Sequence, residues 1–127
     1  MSKYEDKVAL LLSQSGYKFE REKTFDDLKN GRYRFDFYVK AATPFLIEVD
    51  GEQHFNSNSK FYKTKSEFKK AQEHDRRKNS YCLANNLLLF RIPYWEISKL
   101  QVAADCIQNK FLVRSKWHND ELSIPKT

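Results

Sequence analysis

Phe45-Leu46-Ile47-Glu48-Val49-Asp50-Gly51-Glu52-Gln53-His54 is the stretch on which the fold turns. Phe45, Ile47 and Val49 alternate with Leu46, Glu48 and Asp50, the period-2 pattern of a strand. One face is apolar. The other carries two carboxylates in succession before Gly51 ends the strand, and His54 follows closely. Unit charges about 4 Å apart at an effective dielectric near 20 interact by roughly 4 kcal/mol, so this pair repels. Its retention on one strand face points to a cation held there.

Working upstream, Arg32 to Val39 is a second strand, with Tyr33, Phe35, Phe37 and Val39 on one face and Arg32, Arg34, Asp36 and Tyr38 on the other. The short connector Lys40–Pro44 makes the two strands a hairpin. Pairing centred on Ala42 sets Val39 against Phe45 and Asp36 against Glu48; a two-residue slip sets Asp36 against Asp50 instead. Either register matches the apolar faces and brings all three acids to one side of the sheet. Before the hairpin, Ser2 to Ser15 reads as a helix with Tyr4, Val8, Leu11 and Leu12 on one face and Gly16 as the stop. Ser2 and Glu5 have capping-box spacing. Tyr17 to Phe25 reads as a strand, and 26–31 as a turn-rich connector.

Downstream, residues 51–60 form a polar loop long enough to be functional. A helix is expected from Lys65 to Asn85, where Phe68, Ala71, Asp75, Lys78 and Cys82 share one face. Asp75 and Lys78 thus lie in line with the apolar stripe, while Lys69, Lys70, Arg76 and Arg77 form a basic outer face. Leu87 to Ile92 reads as an apolar run and a buried strand, which makes strand, helix and strand a parallel crossover unit. Ser98 with Gln101 predicts one more helix, buried through Leu100, Ala103, Ala104, Ile107 and Phe111. Residues 116–127 are expected to be a loose tail.

The 127 residues make one domain with an α/β fold, a mixed sheet flanked by helices. A net charge of +6 favours a polyanionic partner, nucleic acid ahead of lipid. Cys82 and Cys106 have no C-x-x-C spacing and suit a reducing, intracellular (cytoplasmic) setting. No apolar run approaches the roughly 20 residues of a membrane span, and the polar N-terminus is unlike a signal peptide, so no membrane partner is expected.

Arg34-Phe35-Asp36-Phe37, then Glu48-Val49-Asp50-Gly51 with His54, then Asp75-Arg76-Arg77 and the strand leading to Trp95-Glu96 resemble the PD-(D/E)XK nuclease superfamily, in particular its very-short-patch-repair endonuclease branch. The catalytic domains of some phage homing endonucleases belong to that branch. The resemblance covers about residues 30 to 97. Separately, Glu5-Asp6-Lys7-Val8 and Gly16-Tyr17-Lys18-Phe19-Glu20 resemble the first helix and strand of phage junction-resolving nucleases, in which the helix glutamate reaches the metal site. These resemblances imply a restriction-endonuclease-like core in a bacterial or phage setting. Phe35 stands where a proline is usual, and Asp50 where a lysine is usual, a departure shared by the repair branch, which relies on the aspartate and a histidine. The repair enzymes' zinc cysteines have no counterpart in 51–65, so no structural zinc is expected. Phe55, Phe61 and Tyr62 are the candidates for their DNA-inserted aromatic wedge.

The expected activity is that of a metal-dependent DNA endonuclease, nicking or cutting both strands, with Mg2+ or Mn2+ held by Asp36, Glu48 and Asp50. His54 is the candidate to activate water or protonate the leaving group. Asp75 is expected to orient a water or His54, or else to pair with Lys78 or an arginine. Lys78 substitutes for the strand lysine, and Glu5 acts as cap and outer ligand. Arg32, Arg34, Lys18, Arg21 and the basic residues of 60–78, Lys69, Lys70, Arg76 and Arg77 among them, are expected to hold the DNA backbone. With no separate recognition module, specificity falls to loops, a homodimer or a partner protein. The alternatives are a structure-selective junction nuclease and a catalytically silent DNA-binding module on the same fold.

Overall fold

The computed structural model describes residues 2–56 and 64–125. Helix α1 (Lys3–Gln14) leads into strand β1 (Phe19–Thr24), the hairpin β2 (Arg34–Val39) and β3 (Phe45–Asp50), helix α2 (Lys65–Ala84) and strand β4 (Leu88–Pro93). The four strands form one mixed sheet in the order β1-β2-β3-β4, antiparallel up to β3 and parallel between β3 and β4. The fold is therefore α/β, with helices on both faces of the sheet.

Local chemistry explains the boundaries. The Ser2 hydroxyl accepts the Glu5 N–H at 3.2 Å and opens α1. Gly16, at φ +78°, closes it and lets Tyr17 N–H reach Leu12 O at 3.1 Å. Thr64 caps α2 in the same way as Ser2 caps α1, through the Glu67 N–H. β2 and β3 pair with Val39 against Phe45, Tyr38 against Leu46 and Phe37 against Ile47, the register centred on Ala42. Continued by one step, it sets Asp36 against Glu48.

The core has two layers. Val8, Leu11 and Leu12 of α1 pack with Phe37, Val39, Ile47, Val49 and Ile92 on one face of the sheet. On the other, Phe35, Leu46 and Leu89 pack with Cys82 of α2. Phe35 thus leaves the face that it was expected to share with Phe37 and Val39. The pleat is interrupted between them: Asp36 N–H goes to a side chain instead of the ladder, and Glu22, between the pairs Arg21–Phe37 and Lys23–Phe35, adopts φ +55°.

Three further expectations are corrected. The run 87–92 contains Arg91, which is wholly buried, so β4 is not purely apolar. Among the described residues no α-helix follows Ser98. The chain instead forms short 3₁₀ turns, Tyr94–Lys99, Ala103–Ile107 and Asn109–Phe111. Ile97, Leu100, Ala103 and Cys106 are buried at intervals of three, the 3₁₀ period, while Ala104 is exposed. Asp105, not Ser98, caps this region by accepting the Gln101 and Val102 N–H groups. The segment after Arg114 is not loose through Asn119, which is buried, and Val113 N–H bonds Leu89 O along the outer edge of β4. Cys82 and Cys106 are free thiols, and among the described residues no helix is long and apolar enough to cross a membrane.

Candidate active site

The hairpin register puts Asp36 and Glu48 side by side, and each takes the other strand's amide. Asp36 N–H donates to Glu48 Oε1 and Val49 N–H donates to Asp36 Oδ2, both at 2.7 Å. Two carboxylates here replace two carbonyls of the ladder. The interrupted pleat turns Asp36 toward α1, where Glu5, Glu22 and Asp36 each offer a carboxylate oxygen within 4.8 Å of the others. Burial, then the charge of Glu48 and, more weakly, that of Glu5 push the Asp36 carboxyl up to about 9, against the opposing pull of the Val49 amide and Lys78. Arg21 stands 3.7 Å from Glu5 and stacks over Phe37, so one cation borders the group.

On the α2 side the charges pair closely. Lys78 Nζ meets Glu48 Oε2 at 2.7 Å and also donates to the Arg34 carbonyl. Arg91 lies beneath, with its Nη1 2.8 Å from Asp50 Oδ1, its Nε 2.7 Å from Asn79 Oδ1 and its Nη2 3.6 Å from Asp75 Oδ1. Asn119 donates to the second Asp50 oxygen at 2.8 Å. Burial opposes the Arg91 charge, but Asp50, Asp75 and Glu48 outweigh it and hold the guanidinium firmly protonated. The expected set of Asp36, Glu48 and Asp50 on a single ion is therefore divided. Asp36 faces Glu5 and Glu22, Glu48 bridges to Lys78, and Asp50 has both oxygens engaged by Arg91 and Asn119.

The turn Glu52–His54 folds back over Asp50, fixed by His54 N–H to Gly51 O at 3.1 Å. It sets His54 Nδ1 2.8 Å from Asp75 Oδ2 and 3.6 Å from Asp50. Burial alone would lower the imidazole pKa. The Asp50 charge and the Asp75 hydrogen bond and charge prevail and raise it to about 9. Asp75 is held below the usual carboxylate range by Arg91 and His54, in spite of its burial. At neutral pH the dyad is accordingly an imidazolium donating Nδ1–H to a carboxylate. Asp75 hydrogen-bonds His54 and pairs with Arg91, while Lys78 acts on it more weakly, through its charge.

A groove beside the dyad is walled by Arg32, Tyr33, Arg34 and Lys78 together with His54 and Asp75. Lys69, Lys70 and Arg76 wall a separate depression on the outer face of α2. Arg76 pairs with Asp120 at 2.9 Å, and Arg77 donates to the Tyr33 hydroxyl at 3.3 Å. Phe55 packs against Trp95 at 4.8 Å between ring centroids. Lys18 is exposed. Phe61, Tyr62 and the basic residues of 60–63 lie outside the described residues.

Glu22, Arg91, Asn79 and Asn119 escaped the reading of the sequence. Arg91 left a signal there, a lone charge inside a buried parallel strand, which demands an opposite charge on a neighbour. In the register formed, Arg91 pairs with Glu48. Glu22 left none, because its place depends on a backbone reversal.

No protein-family model and no solved structure matches the chain. A curated viral protein, the uncharacterized protein 307L of Invertebrate iridescent virus 6, is 32% identical over 69 residues, which make up 52% of this chain and 34% of that protein. The chain thus spans about a third of that relative's length.

Proposed function

We propose that this chain is a metal-dependent endonuclease that hydrolyses phosphodiester bonds in DNA, using Mg2+ or Mn2+. The observation that carries the reading is the Glu5, Glu22 and Asp36 group, three acids from three elements converging beside the Glu48–Lys78 pair. The donor set suits such an ion. Carboxylate oxygens are the hard donors that Mg2+ and Mn2+ take, and Asp36 sits among more negative charge than its own partners offset. Asp36, Glu5 and Glu22 would hold the ion, with Glu48 next to it. When bound, it supplies charge neutralisation at the phosphate and activation of the attacking water.

The remaining roles fall to the chain's own groups. His54, protonated at neutral pH, is suited to giving a proton to the leaving oxygen, more than to taking one from water. Asp75 orients it and preserves its charge. Lys78 offers an ammonium beside Glu48 to offset charge developing on the phosphate. Asp50 holds Arg91 and raises His54, an electrostatic role in place of the ligand role. Arg32 and Arg34 border the dyad, where they suit backbone phosphates.

Two other readings each have one observation in their favour. Glu5 beside Asp36 suits a junction-resolving nuclease, whereas the full compensation of Asp50 suits a catalytically silent DNA-binding module. Nicking of supercoiled plasmid in Mg2+, lost on Asp36→Asn, is the expected result. Preferential cleavage of a four-way junction would select the first alternative. No cleavage of plasmid, junction or RNA with either metal would overturn the enzyme reading.

A further inference from the structure

Beyond the dyad groove, two more grooves continue along α2, and they share walls. The groove beside His54, of about 340 Å³, has Arg32, Tyr33 and His74 in common with a second of about 480 Å³. Lys29 and Arg77 pass from the second into a third, of about 590 Å³, which ends at Tyr81, Lys116 and Trp117. We propose that these grooves form one track for a single strand of DNA with unpaired bases, running from the His54–Asp75 dyad to a base-stacking platform at Trp117.

Charge is the first support. The acids among the described residues that line the three grooves are Asp75, bonded to His54, and Glu73. Against them stand Lys29, Arg32, Arg34, Arg77, Lys78 and Lys116. A polyphosphate fits this wall better than a neutral ligand does.

The second support is the interleaved aromatic surface. Trp117 is 44% exposed, a large apolar area that the core does not use. It is kept in place by its backbone N–H, which bonds Ser115 Oγ, and by Arg76, anchored on Asp120, whose guanidinium lies over the ring at 4.7 Å. Lys116, itself exposed, also lies over the ring at 4.7 Å, so cations that suit phosphate stand at the stacking surface. Tyr33, which packs against His74 at 4.8 Å between centroids, and Tyr81 stand along the way. Bases in a duplex are stacked on each other and present no face to such rings. Basic walls with exposed aromatics are the pattern for unpaired nucleotides. Ala71 to Tyr81 covers about 15 Å of helix axis at 1.5 Å per residue, room for roughly four stacked nucleotides.

What happens at the His54 end rests on the nuclease reading, but binding does not, so the test is run without metal. The full chain, carrying Trp95→Phe so that Trp117 alone reports, is titrated in EDTA with a thymidine oligomer and with a blunt duplex of equal length. The expected result is fluorescence quenching by the oligomer and tighter binding of it than of the duplex. Trp117→Ala, followed by the fluorescence anisotropy of end-labelled DNA because it lacks the tryptophan reporter and checked for an unchanged thermal melt, is expected to weaken oligomer binding at least about fivefold and duplex binding less than twofold, with recovery in Trp117→Phe. Should the alanine variant fold poorly, Lys29→Glu is expected to weaken oligomer binding with the melt preserved. Oligomer binding unaffected by Trp117→Ala, equal losses for oligomer and duplex, or equal competition by polyglutamate would each overturn the proposal. Trp117-dependent binding without nicking in Mg2+ would uphold the track and sink the nuclease. Nicking with Trp117-independent binding would do the reverse.

Discussion

Arg91→Met removes the cation at the centre of the buried network and keeps much of its volume. Arg91 and Asp50 are both wholly buried and meet at 2.8 Å, with Asp75 at 3.6 Å and Glu48 at 3.9 Å from the same guanidinium. Deleting one partner of such a pair strands the other charge, at a cost of about 3–5 kcal/mol. At roughly 3–4 °C per kcal/mol for a domain of this size, the melting temperature falls by about 10–20 °C. The loss carries a pH signature. In the variant the Asp50 carboxylate is buried without its cation. A carboxyl buried without a counter-charge costs more the more fully it is ionised, so the deficit is smallest near pH 4 and grows toward neutrality. Part of the loss, from the unpaired Asn79 oxygen, is independent of pH. Denaturant unfolding of wild type and variant between pH 4 and pH 8 reads both components. The double variant Arg91→Met/Asp50→Asn, which keeps an acceptor and the Asn119 contact at position 50, should recover at least half of the pH-dependent loss. A variant within about 1 kcal/mol of wild type at pH 7, or a deficit equal at both ends of the range, would refute the reasoning.

His54, raised to about 9, contributes stability present in full below its ordinary value near 6.5 and lost as pH rises through about 9; Asp75→Asn should bring the imidazole titration down by about one unit or more, read by NMR, and an unmoved titration would detach Asp75 from that role. Mg2+ at about 100 times its dissociation constant should stabilise wild type by about 2.7 kcal/mol and leave Asp36→Asn unmoved in the same thermal-shift assay; an equal shift in both would take Asp36 out of the ion site. Lys78→Met should reduce plasmid nicking about 100-fold, far more than it weakens DNA binding, and nicking at the wild-type rate would remove the ammonium from the chemistry.

The sequence by itself determined the elements whose periodicity is unbroken. Alternation in Phe45–Asp50, the short connector before it and the stripe of α2 led to the hairpin, to two candidate registers of which the one centred on Ala42 forms, and to the parallel crossover. Asp75 and Lys78 were legible on the inward face of α2, because helical spacing relates residues on one rigid rod. The region after Pro93 was misread because intervals of three and 3.6 are hard to separate over a few turns, and the choice between them was made by packing against α1 and β4. In the site itself, sequence grouped the acids by strand face, which presumes a regular pleat. Tertiary structure decided their partners. The left-handed Glu22 and the side-chain bonds of Asp36 and Glu48 interrupt the pleat and send Asp36 to Glu5, while Arg91 and Asn119 claim Asp50. Two carboxylates on one strand face, like Glu48 and Asp50, can share an ion or take separate counter-charges. The outcome depends on which partners the rest of the chain delivers, and those are Arg91 of β4, Lys78 of α2 and the Asn119 amide of the segment past Val113, far away in sequence.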